Sequence, residues 1–387
     1  MNSKITIPYG RQSIDNSDID AVVDILKGDW LTQGPKLVEF EEYLANYCGS
    51  KYAVAVCNGT AALHLANLVI GTDITTNVIT TPITFLATSN SVLYAGGHPV
   101  FADISESIFT LNPEKVKKVA EDDIRVKGII PVHMGGVICD MEALKMIADT
   151  KNLWIIEDAC HAIGGKWKDI EGKQHRVGDC SHSDLTVFSF HPVKQITTGE
   201  GGAITTNNKE LYEKLLILRT HGITKSPEIL SENHGSWYYE MHELGYNYRM
   251  TDIQAALGVQ QLKKNDEWVK RRRELVQQYD SAFTEIVQLT PQQHPDINGG
   301  YSYHLYIIQC EKRAELYQYL KENEVNTQVH YIPIHLQPYY KEKYGYGNGD
   351  FPVAEKYYDR ALSLPLYPTL TDSEQEKVIL LVKKFYA

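Results

Sequence analysis

The sequence predicts an α/β fold, with a mostly parallel central sheet sandwiched by helices and a smaller C-terminal α/β domain. Three observations predict it. Short apolar runs alternate with helix-length stretches through the first two-thirds of the chain. Several of those runs are apolar on both faces, as strands covered by helices are. Near residue 250 the texture changes to one long helical pattern without proline.

Taken in order, the strand candidates are 52–57, 77–82, 98–104, 126–132, 153–158, 185–190 and 202–207, each rich in Val, Ile or Thr. Helical patterns such as 60–70 and 141–150 lie between them. From Thr251, an N-cap candidate, a helix is expected through Phe283, its basic cluster Lys270 to Arg273 forming a solvated face. A strand pattern at 301–310 and a helix pattern at 313–323 follow. The division is therefore expected at 1–250 and 251–387. The tyrosines from 339 to 346 fit a surface loop or a partner contact equally well.

Composition narrows the function. The net charge of −11 argues against a general nucleic-acid binder, which needs a basic face. The first residues carry no apolar signal core, and no run approaches a membrane span, so a cytoplasmic protein is expected. Six scattered cysteines suit reduced, structural thiols. Cys160, His161, Cys180 and His182 match no common zinc spacing, and no metal is expected.

The chemistry-bearing residues fall at predicted strand ends, where open α/β sheets bind ligands. After 52–57, "NGTAAL" opens a helix at Thr60 and Ala61, either as an ordinary cap or as a phosphate cup. After 153–158, Glu157 and Asp158 need partners, which a protonated heterocyclic nitrogen or an arginine would supply. After 185–190, Lys194 stands without charged neighbours beside glycines 199, 201 and 202. A desolvated lysine there is a nucleophile able to form a Schiff base, and the glycines would let a flat ring approach the backbone. Phosphate cup, acidic strand end and a lysine 36 positions later together match what pyridoxal phosphate (PLP) requires. No Walker loop is present, which disfavours a P-loop nucleotidase.

These motifs resemble the DegT–StrS family of nucleotide-sugar aminotransferases, over nearly the whole chain. The resemblance rests on "WLTQGPKLVEFEE", "NGTAAL", "TPITFLATSNSVLYAGGHPVFADI", "PVHMGG", "IIEDACHAIG", "SFHPVKQITTGEGGA", "GYNYRMTDIQAALG" and "VHYIPIHLQPYY". It implies a fold type I PLP enzyme acting as a homodimer. By the same resemblance Lys194 is the Schiff-base lysine and Asp158 the partner of the pyridine nitrogen. Thr60, the Ala61 amide and Ser189 would hold the phosphate, and Phe85 would stack on the ring unless it is plain core. Asn247 would reach the other subunit's cofactor, and Arg249 would take a substrate anion. His330 is either a further substrate contact or a satisfied structural histidine.

Two places depart from the family pattern. His161 stands where many relatives carry Gln, although a cofactor contact is still implied, and "HMGG" replaces a turn that usually contains an aromatic residue. "SFHPVK" is most similar to members that aminate C4 of a UDP-linked 4-keto-6-deoxy-N-acetylhexosamine with L-glutamate, on the way to pseudaminic acid. Amination at C3, or of a dTDP- or GDP-sugar, is the alternative. Lys194 disfavours the related sugar dehydratases, which carry histidine there, and the acidic charge disfavours a DNA-binding regulator.

Overall fold

The structure is a computed structural model describing residues 6–293 and 300–387. All seven N-terminal strand candidates join one sheet: β1 (Tyr52–Val56), β2 (Asn77–Thr80), β3 (His98–Phe101), β4 (Val126–Ile130), β5 (Trp154–Asp158), β6 (Leu185–Ser189) and β7 (Gly202–Thr206). Their order is β1-β7-β6-β5-β4-β2-β3. β7 runs antiparallel to both of its neighbours, and the other pairs are parallel. The parallel strands thus end on one edge, carrying Asp158 and Ser189 to the same side.

Period-two alternation splits each strand between two cores. Val54, Val56, Ile130, Ile156, Leu185 and Val187 pack with the helix Gly59–Val69 on one face. Ala53, Ala55, Ile129, Ile155 and Phe188 pack on the other, with the helix Pro35–Cys48 and the long helix Asp252–Phe283. Thr251 caps that long helix through a reciprocal pair with Gln254. Near its start the helix lies against Asn16–Lys27 and Pro35–Cys48, and it also packs on the final helix Asp372–Tyr386. A second sheet of Leu289–Pro291, Tyr306–Cys310 and Ala361–Leu364 is entirely antiparallel.

The tyrosine cluster fastens this part of the chain to the large sheet. Tyr340 is buried, its hydroxyl 2.7 Å from Asn90 Oδ1 and 2.8 Å from Ser89 Oγ. It therefore grips the helix Leu86–Tyr94, which begins just after Phe85.

Candidate active site

The turn after β1 is built by close approach. Asn58 Oδ1 accepts from the Ala61 amide at 2.8 Å and caps the helix Gly59–Val69. The Ala61 amide, expected on a phosphate, is therefore already committed. Among the described residues, no acceptor meets the Gly59 and Thr60 amides. A Cβ at Gly59 would stand 2.9 Å from Ser189 Cβ, so glycine lets the Thr60 turn and the Ser189 strand end meet. A Cβ on Gly202 would likewise stand 2.6 Å from the Asn58 carbonyl carbon. That corrects the expectation for the glycine run: at 202 it makes room for the protein's own turn, not for a bound ring.

At the end of β5 the two carboxylates part. Glu157 is taken by His133, Ser183 and Thr186, an internal network that needs no ligand. Asp158 faces a cavity of about 860 Å³. Its Oδ2 accepts from Thr88 Oγ1 at 2.7 Å and its Oδ1 from the Cys160 amide at 3.2 Å. Because Thr88 donates there, Thr84, at 2.7 Å, must donate to Thr88. No arginine pairs with Asp158 among the described residues.

Lys194 lines the same cavity. It keeps some contact with solvent, but protein surrounds its amine, and that desolvation lowers its pKa below the usual lysine value. Thr60, Ala61, Phe85, His161, Ser189 and His330 line the cavity with it. Phe85 is 57% exposed, which rules out plain core packing.

Burial also lowers the pKa values of His161, His304 and His330, the last to about 3. His330 shares a 2.9 Å hydrogen bond with Ser363 through Nδ1. It is neutral at ordinary pH, so it offers hydrogen bonding and no charge for an anion.

Asn247 and Arg249 do not line this cavity, whereas Tyr248 between them does. They belong to an extended segment bridged to Thr220 and Val56. Alternation along it puts 247 and 249 on the face opposite Tyr248. Thr84, Thr88 and Tyr331 escaped the sequence reading, although all three sit inside quoted motifs. Among the described residues, no group of three or more His, Cys, Asp or Glu could hold a metal ion.

The chain matches the DegT/DnrJ/EryC1/StrS aminotransferase family over residues 12–383. It belongs to that family. It is 42% identical to the spore coat polysaccharide biosynthesis protein SpsC of Bacillus subtilis, over 96% of this chain and 95% of that protein. A UDP-4-amino-4,6-dideoxy-N-acetyl-beta-L-altrosamine transaminase of Campylobacter jejuni is 39% identical over 93% and 92% of the two chains. The solved structure of Helicobacter pylori PseC, described as an aminotransferase in pseudoaminic acid biosynthesis, superposes with a TM-score of 0.90 at 30% identity, covering 98% and 99%.

As a DegT/DnrJ/EryC1/StrS aminotransferase, the protein is a PLP-dependent sugar aminotransferase with the expected fold type I architecture. The residues present fit PLP. Free amides and hydroxyls suit a phosphate, a carboxylate at a strand end suits a protonated ring nitrogen, and an exposed aromatic face and a desolvated amine complete the set.

Proposed function

We propose that this aminotransferase moves the amino group of L-glutamate to the C4 keto group of a UDP-linked 4-keto-6-deoxy-N-acetylhexosamine. The reading rests first on one observation: Lys194, Asp158, Thr60 and Ser189 converge on a single cavity. The name of the 39% identical relative supports the sugar. PLP, when bound, supplies the electron sink and carries the amino group between donor and acceptor.

The chain's own residues do the rest. The Gly59 and Thr60 amides, with the Thr60 and Ser189 hydroxyls, would hold the phosphate at the helix N-terminus. Asp158, oriented by Thr88 and the Cys160 amide, would hold the ring nitrogen's proton. Phe85, exposed in the cavity, would lie against the ring. Lys194 Nζ, its pKa lowered by desolvation, would be the nucleophile and would then carry the proton taken from the donor's Cα. Asn247 and Arg249, facing away from their own cavity, serve the cavity of a second copy, Asn247 at the cofactor phosphate and Arg249 at a substrate anion.

An absorption spectrum tests the first half. Protein reconstituted with PLP should show a visible band that L-glutamate bleaches, with one equivalent of 2-oxoglutarate released. Incubating that bleached enzyme with the UDP-linked keto sugar should restore the band and give an amino sugar by mass spectrometry. A band restored only by a dTDP- or GDP-linked sugar would replace the substrate and keep the chemistry. The name of the 42% identical relative, a spore coat polysaccharide biosynthesis protein, specifies no UDP-sugar and keeps another nucleotide-linked sugar as the second reading.

A further inference from the structure

Tyr331 lines the cavity half-buried, its ring 6.1 Å from that of Phe85. Its hydroxyl lies 3.2 Å from His161 Nε2. The other nitrogen of that imidazole settles which group donates. His161 Nδ1 accepts from the Gly135 amide at 3.3 Å, so Nδ1 carries no proton. Burial, reinforced by Lys194, keeps the ring neutral. The single ring proton is then on Nε2 and is donated to the Tyr331 oxygen.

The phenol's own proton is therefore free of His161. No other described residue accepts it. Burial also raises the Tyr331 pKa well above the ordinary phenol value, so the group stays a neutral donor throughout the working pH range. The two departures from the family pattern thus touch: the "HMGG" turn supplies the amide that fixes His161, and His161 fixes Tyr331.

A neutral, oriented donor discriminates among acceptors. Glutamate brings two carboxylates, which are matched best by cations. A keto sugar brings carbonyl and hydroxyl oxygens, which a phenol matches well, and a site built to bond such an oxygen loses most when the bond cannot form.

We propose that Tyr331 is a substrate-binding residue whose hydroxyl, oriented by His161, donates to an oxygen of the keto sugar. This rests on the sugar-aminotransferase reading above. Tyr331→Phe in the holoenzyme tests it, with each half-reaction followed separately by cofactor absorbance. The glutamate half should stay within about 2-fold of wild type, while the return half with the UDP-linked keto sugar slows by about 10–100-fold. The affinity for PLP, measured by fluorescence titration of the apoprotein, should be unchanged.

Equal losses in both halves, a weakened PLP affinity, or an unimpaired return half would each overturn the assignment. A wild type that accepts glutamate but returns the amine to no UDP-, dTDP- or GDP-linked keto sugar would overturn the sugar reading, and the role of Tyr331 with it.

Discussion

Lys194 and Asp158 share a cavity, yet the forces on them differ. Desolvation lowers the pKa of the lysine, whereas two donors fix the aspartate carboxylate in place. Replacing Lys194 by Ala should leave PLP bound without the glutamate-sensitive band, and cut turnover by at least about 10³-fold in a single-turnover assay. His330 gives a pH prediction. Its folded pKa of about 3 lies below the unfolded value near 6.5, so the unfolded chain binds more protons between the two. Stability should be full above pH 6.5 and fall as the pH drops toward 3, by up to about 1.4 kcal/mol per unit. Urea melts of wild type and His330→Gln at pH 7 and pH 5 should show a smaller loss in the variant. Lys194 and Asp158 were legible in the sequence because their type and spacing carry the chemistry. Thr88 and Tyr331 were not, because their partners lie 70 and 170 positions away.

Among the elements, helix ends do most of the positioning. The helix Pro35–Cys48 has glycine at its N-cap and no side-chain cap of its own. Buried Asp252, from the first turn of the long helix, caps it instead, accepting from the Gly34, Lys36 and Leu37 amides. Asp252→Ala should cost about 2–4 kcal/mol by chemical denaturation, more than an ordinary cap, because three amides lose their shared acceptor. The Thr60 turn depends on space rather than on a cap alone. Gly59→Ala would drive a methyl against Ser189 and should weaken PLP binding about 10-fold, in line with about 1–3 kcal/mol for overpacking. Strand positions were readable because Val, Ile and Thr mark them. The cross-chain cap was not, since Asp252 reads locally as an ordinary first-turn acid.

For the molecule as a whole, sheet order decides the site. Placing β1, β7, β6 and β5 side by side brings residues 58–60, 158 and 189–194 to one edge. If Asn247 serves a second copy, two inactive variants should complement. A 1:1 mixture of refolded Lys194→Ala and Asn247→Ala chains should recover about a quarter of wild-type activity, since half the dimers are mixed and each carries one intact site. No recovery in mixed dimers verified by mass spectrometry would place Asn247 outside the partner's site. The sequence by itself determined the α/β class, the strands and the residue types of the cofactor chemistry, because periodicity and strand-end motifs are local properties. Only the tertiary structure decided that β7 is antiparallel, that Ala61's amide is spent on its cap, and that Gly202 serves the turn. It alone also decided that Thr88 and His161 orient their neighbours. Each of those depends on which distant groups share a few ångströms, and chain spacing does not encode that distance.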